Sequence, residues 1–464
     1  MPKPPIGAII KTTSYGKIKV LEQLGAGGQG TVYKVDYNGT IKALKWYHDG
    51  AFNDYHVNSD GTHKKDSSGN RILDVNATNK AKDEFYENLK NNVRHGSPAS
   101  QFLWPQDATE RVHESFGYIM DLRPKDYYEL GTLLLARKKV NGQVIRFESL
   151  QAKVDGMINL VNAFQILHNE GYSYQDLNDG NFFFKPKTGE ILICDNDNVA
   201  HTGYHSGVIG KCRFMAPEVV LQQKMPDTMT DRFSMAVILY YMLFRAHPLE
   251  GAISTPACLT PSEERRIYGS DPVFVFDPIN KNNRPVRGVA DHSVAIWNKT
   301  PQYIKDAFIR SFSKDASTFS SNRYLANRLT EMEWIQLLAR LRNNIVICSN
   351  CKKETIIDGT NNCVNCSCQL PFNRFIQLQK YKVPVRNGAI LLKTQLGPCS
   401  DKEALDILAK VYVKDGQYGI LNCSKEAWQC ITTTGAAREL PIGSALPAKP
   451  GIKVKLAHGS FEIV

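Results

Sequence analysis

Two short stretches, about 150 residues apart, carry residue types suited to phosphate chemistry. The first lies near the amino terminus and follows the pattern G-x-G-x-x-G-x-V, with matches at Gly25, Gly27, Gly30 and Val32. Glycines there let backbone amides approach phosphate oxygens without interference from a Cβ atom. Because a glycine-rich hairpin is often only a turn, this stretch predicts a phosphate clamp only together with the motifs that follow it.

A lysine follows the glycine-rich stretch at the distance that a phosphate clamp would use. Lys45 lies thirteen residues after Val32 and closes the run Lys42-Ala43-Leu-Lys45. This run matches V-A-I-K, whose strand lysine holds the α- and β-phosphates of a nucleotide. The alternative, a solvated lysine at the end of a strand, would be favoured if the run stood alone.

The second stretch contains an aspartate and an asparagine in the spacing D-x-x-x-x-N, at Asp176 and Asn181. An apolar run that begins at Ile191 delivers a carboxylate, Asp195, fourteen residues after Asn181. A surface loop rich in Asp and Asn is the alternative, but such loops do not usually follow a strand at this offset. The two stretches together therefore predict a phosphate clamp and a phosphoryl-transfer loop.

An intact A-P-E begins twenty-one residues after Asp195 and ends at Glu218. The five motifs in this order resemble the eukaryotic-type protein kinase superfamily over residues 15 to 345. Asp-Asn-Asp-Asn at 195–198 replaces the D-F-G of that family, and together with the stretch at 268–277 and an Asn-Arg-Pro at 283–285 it resembles bacterial serine/threonine kinases of tellurium-resistance-type loci. The resemblance implies a bilobal fold, ATP and Mg²⁺ as cofactors, and a protein hydroxyl as the acceptor.

The resemblance also implies roles for single residues. Lys45 would orient ATP together with a helix glutamate, and Asp176 would accept the proton of the substrate hydroxyl. Asn181 and Asp195 would hold Mg²⁺. Gly25, Gly27, Gly30, Val32 and Ala43 complete the expected nucleotide-binding set in the amino-terminal lobe.

The helix glutamate is ambiguous in the sequence. Residues 81–93 predict a helix that carries Glu84 and Glu87, and its apolar stripe at i, i+4 and i+8 includes neither of them. Glu87 is favoured because His95 follows eight residues later, close to the family spacing. The choice between the two glutamates stays open at this point.

Residues 115–123 resemble the strand that leads into the adenine-binding hinge of a kinase. Met120 would be the gatekeeper, and Asp121 to Arg123 would offer backbone groups to adenine. An ordinary edge strand would have the same pattern.

Bulk composition indicates a globular protein of two or three domains, with 464 residues, 42% hydrophobic and 22% charged. No signal segment is evident, and the longest apolar run, residues 235–244, is too short to span a bilayer. We therefore expect a soluble, cytoplasmic protein without a membrane partner.

The net charge is +11, of which +6 falls in residues 346–464. Because the sequence has no basic blocks, this charge favours a solvated surface over nucleic-acid binding.

Two C-x-x-C pairs predict a structural zinc site. Cys348 with Cys351 and Cys363 with Cys366 are separated by eleven residues, and Cys368 is an alternative fourth ligand. Disulfides are the competing interpretation, which a cytosolic chain disfavours. Four thiolates leave no open coordination position, so this zinc would fold the segment and would not catalyse.

From residue 371 onward, short alternating runs separated by Gly and Asn predict a β-sandwich. Their lengths and order resemble a forkhead-associated domain, although the G-R and S-x-x-H signatures of phosphothreonine binding are missing. A docking or dimerisation module is favoured over phosphopeptide binding. It could recruit a phosphatase or other partner encoded at the same locus.

The resulting prediction is an α+β chain with three parts. Residues 1–345 form a bilobal kinase domain, with lobes at about 15–120 and 121–345, followed by a zinc knuckle at 346–370 and a β-sandwich at 371–464. The predicted activity is ATP- and Mg²⁺-dependent phosphorylation of protein serine and threonine. Two rivals remain: a nucleotide-binding pseudokinase scaffold, motivated by the departures from H-R-D and D-F-G, and a zinc-dependent nucleic-acid adaptor.

Overall fold

The computed structural model describes residues 3–58, 63–112, 115–136, 138–202, 210–254, 259–312, 328–358 and 360–464. Within these ranges the chain forms a sheet-rich amino-terminal part, a helical middle part, a small cysteine-rich segment and a carboxyl-terminal pair of sheets.

The amino-terminal part is a six-stranded antiparallel sheet in the order β1-β2-β3-β4-β6-β5, with one helix packed against it. Its elements are β1 Ile9–Lys11, β2 Lys17–Ala26, β3 Gly30–Tyr37, β4 Thr40–Tyr47, α1 Val75–His95, β5 Asp107–Ala108 and β6 Gly117–Met120. Strand β3 pairs with β4 in a register that sets Val32 opposite Lys45. In the next ladder Lys45 is opposite Tyr118. The glycine-rich turn between β2 and β3 therefore lies next to the strand that carries the lysine.

Helix α1 begins earlier than the sequence predicts. The Asp74 carboxylate accepts a hydrogen bond from the Ala77 amide and caps the helix. The predicted start at residue 81 was wrong because this capping aspartate lies inside a polar stretch that resembles a loop. The residues of α1 that are buried against the sheet and the helical part are Thr78, Phe85, Tyr86, Asn88, Leu89 and Asn92.

The middle part is mainly helical. Its helices are α2 Leu130–Leu135, α3 Leu150–Asn169, α4 Pro217–Val220, α5 Thr228–Phe244, α6 Pro261–Arg265, α7 Asp291–Lys299, α8 Gln302–Phe312 and α9 Glu331–Asn344. Short strands join them: β7 Tyr128–Glu129, β8 Lys139–Val140, β9 Gln143–Val144, β10 Tyr172–Ser173, β11 Phe182–Phe184, β12 Ile191–Ile193 and β13 Ala200–His201. Helices α3 and α5 run through the largest apolar core, where α5 is buried along nearly its whole length. The loops that follow α3 pack on this core.

The carboxyl-terminal part contains ten strands in two sheets. After β14 Ile345–Ile347 and β15 Glu354–Ile356 come β16 Phe375–Gln377, β17 Lys382–Pro384, β18 Ile390–Leu392, α10 Lys393–Leu396, β19 Ile407–Lys414, β20 Gln417–Asn422, β21 Trp428–Ile431, β22 Ala437–Leu440, β23 Ala445–Pro447, β24 Lys453–Leu456 and β25 Gly459–Ile463. The sheet orders are β17-β16-β25-β24-β21-β22 and β18-β19-β20-β23. Both sheets contribute side chains to one apolar core around Trp428. The predicted β-rich ending is confirmed.

The cysteine-rich segment and the carboxyl-terminal part both contact helix α3. The Glu354 carboxylate accepts hydrogen bonds from the Leu150 amide at 2.6 Å and the Gln151 amide at 3.3 Å, at the amino-terminal end of α3. The Asp401 carboxylate, between α10 and β19, accepts hydrogen bonds from the side-chain amides of Gln165 at 2.9 Å and Asn169 at 3.0 Å, near the other end of α3. A carboxylate at a helix amino terminus satisfies free amides and favours the helix dipole.

None of the helices in the described ranges combines the length and apolarity that a membrane crossing requires.

Candidate active site

Lys45 is the buried cation at the centre of the cleft between the sheet and the helical part. Its side chain is only 5% exposed, and its Nζ lies 2.8 Å from Asp197 Oδ2 and 3.2 Å from Asp195 Oδ1. Gln29 Oε1, from the glycine-rich turn, is 3.5 Å away. Burial lowers the pKa of this lysine, but the two carboxylates outweigh burial, so the pKa is raised above its usual value. Lys45 is therefore a fixed positive charge.

Asp197 is the closest partner of Lys45, and its side chain is fully buried. Its Oδ2 also accepts a hydrogen bond from the Tyr47 hydroxyl. The residue stands on a single 3₁₀ turn, Asn196–Asn198, that directly follows Asp195. Asn196 holds this turn in place, because its side-chain Nδ2 donates to the carbonyl oxygens of Leu103 at 2.9 Å and Ile193 at 2.8 Å.

The prediction that Glu87 pairs with Lys45 was wrong. The Glu87 carboxylate pairs with Lys90 at 2.5 Å and is 59% exposed, and Glu84, the alternative, lies near Lys80 at 3.9 Å and is 54% exposed. Both glutamates lie on the solvent side of α1. The buried side of α1 instead presents two amides, Asn88 and Asn92, which donate to the Val199 carbonyl at 3.0 and 2.9 Å.

The loop from 174 to 181 brings the second group of predicted residues together. Asn181 Nδ2 donates to the backbone carbonyl of Asp176 at 2.9 Å and lies 3.3 Å from its Oδ2. Asn178 Nδ2 donates to Asp176 Oδ1 at 3.1 Å. Burial raises the pKa of the Asp176 carboxyl to about 6, and Asp195 adds to the rise, while the two amides oppose it. A carboxylate with this pKa is ionised at neutral pH and basic enough to accept a proton.

Asp231 supports this loop from below. Its Oδ2 accepts the Tyr174 amide at 2.7 Å, and its Oδ1 accepts the Gln175 amide at 3.3 Å. His168 Nε2 lies 3.1 Å from the same carboxylate, and its Nδ1 lies 2.9 Å from Glu331 on α9. The two carboxylates overcome burial and raise the pKa of His168 to about 9. Gln175 has a φ of +68°, so the loop holds a left-handed conformation that these amide bonds stabilise.

A cavity of about 610 Å³ is lined on one side by Asp195, and Lys45 lies behind this residue, outside the lining, with its Nζ 3.2 Å from Asp195 Oδ1. Its volume is in the usual range for a small-molecule site. The predicted nucleotide-binding residues that line it are Gly25, Val32, Ala43, Met120, Asp121, Arg123 and Asp195. A Cβ atom at Gly25 or Gly27 would meet no other atom within 4 Å, so the turn leaves open space for a ligand. The apolar lining suits the base of a nucleoside triphosphate, and Lys45, 3.2 Å from the lining residue Asp195, is a cation placed for phosphate oxygens.

Gly30 serves the strands and not the cavity. A Cβ atom there would come within 2.6 Å of the Trp46 carbonyl oxygen on β4. The glycine is required because β3 and β4 approach closely at this point, which sets the position of Lys45 one residue before Trp46.

Asp121 and Arg123 use their side chains for other contacts at the edge of the cavity. The Asp121 carboxylate accepts Lys42 Nζ at 2.5 Å and Gln106 Nε2 at 2.8 Å. The Arg123 guanidinium lies over the Phe183 ring at 4.3 Å. Their backbone groups are the ones expected to meet the base.

The A-P-E motif is held by a bidentate ion pair. Arg328 donates from Nη1 and Nη2 to the two carboxylate oxygens of Glu218, each at 2.8 Å. Arg328 is buried, and its Nη1 also donates to the Met229 carbonyl at 2.7 Å. Arg328 therefore connects Glu218 on α4 to the first turn of α5.

The cysteine cluster lies outside the cleft, between β14 and the carboxyl-terminal sheets. The sulfur atoms that all lie within 4.8 Å of one another, among the described residues, are those of Cys348, Cys351, Cys363 and Cys366. Two of the separations are 3.8 Å, Cys348 to Cys366, and 3.7 Å, Cys351 to Cys363. Tetrahedral zinc with Zn–S bonds of about 2.3 Å separates sulfurs by about 3.8 Å, so the set is compatible with zinc.

Cys368 is the fifth thiol at this cluster. Its Sγ lies 3.3 Å from Cys348 Sγ, and the residue lies outside the set of four. This geometry favours Cys366 over Cys368 as the fourth ligand.

Two comparisons with known proteins bear on the cleft. Residues 127–273 match the protein kinase domain family, and this range contains Asp176, Asn181 and Asp195. The serine/threonine-protein kinase sck2 of Schizosaccharomyces pombe is 32% identical over 102 residues, which is 21% of this chain and 16% of that protein. Residues 127–273 are therefore similar to protein kinase domains, and the chain spans about a sixth of the length of the curated relative. Lys45 and the glycine-rich turn precede the matched residues. Their position in the cleft, and not the family match, relates them to Asp176, Asn181 and Asp195.

Two residues of the site do not follow from sequence motifs. Asp197 belongs to the stretch that departs from D-F-G, and Tyr47 lies in no motif. The available signal for Asp197 was a second carboxylate two residues after Asp195 on a segment that follows a buried strand.

Proposed function

We propose that this chain is an ATP- and Mg²⁺-dependent protein kinase that transfers the γ-phosphate to serine and threonine hydroxyls. The observation that carries the proposal is the convergence of Lys45, Asp195 and Asp176 on one cleft, with Lys45 3.2 Å from Asp195 and Asn181 3.3 Å from the Asp176 carboxylate. These residues come from strands and loops up to 150 positions apart in sequence.

In the proposed mechanism, bound ATP would supply the phosphoryl group and Mg²⁺ would neutralise the charge on its oxygens. Asn181 and Asp195 would hold the metal, and Lys45 would hold the nucleotide phosphates. Asp176 accepts the proton of the attacking hydroxyl. The amides of Asn178 and Asn181 orient its carboxylate, and Asp231 fixes the backbone beneath it. The chain thus contributes mainly positioning and charge stabilisation.

Serine/threonine specificity is supported by the name of the similar yeast protein and by the general resemblance of the motifs. The proposed setting is a bacterial signalling or stress response in the cytoplasm. The proposed division is a kinase domain at 1–345, a zinc knuckle at 346–370 and a β-sandwich at 371–464, with the β-sandwich recruiting substrate, a phosphatase or another partner.

The test of the proposal is transfer of radiolabelled phosphate from ATP to the chain itself and to serine- or threonine-containing peptides. Asp176→Asn should abolish transfer and leave the affinity for Mg-ATP within a few-fold, because the base acts on the acceptor hydroxyl. Asp126→Asn is the matched control: its carboxylate is 62% exposed and pairs with Lys185 outside the cleft.

Wild-type protein that binds Mg-ATP but transfers nothing would support the rival, a pseudokinase scaffold. The motif departures Gln175 and Asn196-Asp197 motivated that rival. The geometry argues against the pseudokinase interpretation. Asp197 supplies a buried carboxylate for Lys45, where kinases of the resembled family use a helix glutamate.

A further inference from the structure

Lys211 lies against the transfer loop although it comes from a different segment. Its Nζ is 3.1 Å from Asn178 Oδ1 and 3.9 Å from Asp179 Oδ1. A Cβ atom at Gly180 would also lie 3.8 Å from this Nζ. The side chain is 60% exposed, so the ammonium group is held at the loop and remains open to a ligand.

Asn178 connects Lys211 to the proposed base. Its side chain is 3% exposed, and its Oδ1 accepts from Lys211 Nζ and from the Gly180 amide at 3.0 Å. Its Nδ2 donates to Asp176 Oδ1 at 3.1 Å. One buried amide therefore fixes the positions of a carboxylate and an ammonium group on the same side of the loop. A solvated surface lysine would not need a buried, fully bonded partner.

The negative charges around the loop favour a cation at this place. Asp176, Asp179 and Asp195 are carboxylates of the loop and the adjacent strand, and Lys45 is already paired with Asp195 and Asp197. A transferring phosphoryl group spreads negative charge over three oxygens and is stabilised by cations placed around them.

Two arginines near the loop have other partners in the described structure. Arg213 pairs with Glu250 at 2.5 Å, and Arg123 lies over Phe183. Lys211 keeps an exposed ammonium beside Asp176, and a lysine ammonium is a common partner for phosphate.

We propose that Lys211 is a further catalytic residue that binds the phosphoryl group during its transfer, with Asn178 as its positioning residue. The proposal rests on the proposed kinase function. In the step, the acceptor oxygen forms a bond to phosphorus as the bond between phosphorus and the departing ADP oxygen breaks. The hydroxyl proton goes to Asp176, and Lys211 remains protonated throughout.

The test compares Lys211→Met and Lys211→Arg with Lys187→Met, an exposed lysine in the turn between β11 and β12. Calorimetry measures the affinities for Mg-ADP and for Mg-AMP-PNP, and a peptide assay measures kcat and KM. Lys211→Met should weaken AMP-PNP binding by more than about threefold, leave ADP binding unchanged, and lower kcat by about 10- to 100-fold. Lys211→Arg should restore much of both, and Lys187→Met should match wild type.

Lys211→Met with wild-type kcat and an unchanged ratio of AMP-PNP to ADP affinity would overturn the proposal. Equal loss of ADP and AMP-PNP binding would also contradict it, because Lys211 would then act on the whole nucleotide site. Failure of the kinase function itself is recognised separately, since it would appear in wild-type protein as nucleotide binding without transfer. In that case the AMP-PNP to ADP ratio still decides whether Lys211 meets the terminal phosphate.

Discussion

Helix α1 packs against the short segment Asp195–Asn198, and the segment, not the helix, supplies the carboxylates that pair with Lys45. The helix carries two glutamates and turns both toward solvent, whereas the segment buries the carboxylate of Asp197 at 2.8 Å from Lys45. The helix contacts this region through amides that bind Val199. The lysine and the proposed metal ligand Asp195 are therefore organised by the same few residues, and a rotation of α1 is not needed to complete the ion pair.

The largest effect should come from removing Asp197. Asp197→Asn should lower kcat/KM by about 100-fold, because Lys45 keeps Asp195 but loses its closer, fully buried partner, and breaking a buried ion pair costs about 3 kcal/mol. Glu87→Gln, which changes an exposed carboxylate on α1, should stay within about twofold of wild type. Peptide phosphorylation assays check both. Thermal melts of the two variants separate loss of activity from loss of folding, and equal activities in the two variants would refute the comparison.

The cysteine cluster lies outside the cleft that holds Lys45. Changes in the cluster should therefore affect stability and leave nucleotide binding intact, in contrast to changes at Asp197. Metal analysis should find one zinc per chain at the four cysteines, and Cys363→Ser should lose it and lower the melting temperature by several degrees. Nucleotide affinity should change little. Ser349→Ala, next to Cys348 but outside the sulfur set, is the control. A fully stable region in metal-free protein would speak against the zinc assignment.

A third expectation concerns His168, which pairs with Asp231 beneath the loop from 174 to 181. Because the pKa of His168 is raised to about 9 in the folded protein, its ion pairs contribute stability that is complete below about pH 6.5 and is lost as pH rises through 9. The contribution is up to about 3 kcal/mol. Urea unfolding of wild type and His168→Gln at pH 6.5 and 9.5 measures it. The difference between them should shrink at the higher pH; an equal difference at both would exclude a charged His168.

The smallest effect should come from the amides of α1. Asn92→Ala removes one hydrogen bond to the Val199 carbonyl, and Asn88 still donates to the same oxygen. We expect a loss of about 1 kcal/mol of stability and little change in the affinity for Mg-ATP. Denaturant unfolding and calorimetry give the two values. A large loss of nucleotide affinity would mean that α1 has more influence on Lys45 than its contacts indicate.

The parts of the site that lie on one continuous motif were predictable from the sequence. Asp176 and Asn181 are five residues apart on one loop, so their spacing alone brings them together. The partner of Lys45 was not predictable, because it depends on how α1 is rotated against the sheet. That rotation follows from the Asp74 cap and the buried face through Phe85 and Asn92, and the polar residues before the helix conceal where it begins.

The fold shows the same contrast. The alternating runs of the carboxyl-terminal part predicted strands where β16, β18, β19, β20, β21, β24 and β25 lie. Three strands were not predicted: β17, β22 and β23. Each lies at the edge of its sheet; β22 is mostly exposed, and β17 and β23 each end in a proline, so none of them has the apolar alternation that indicates a strand.

The most direct measurement is a crystal structure of the chain with Mg²⁺ and AMP-PNP, in which the distances from Lys45 Nζ to the nearby carboxylates are read. We expect the Asp197 carboxylate to remain within 4 Å of Lys45, with Glu84 and Glu87 still facing solvent. A rotation of α1 that brings either glutamate within 4 Å of Lys45 and displaces Asp197 would contradict the account.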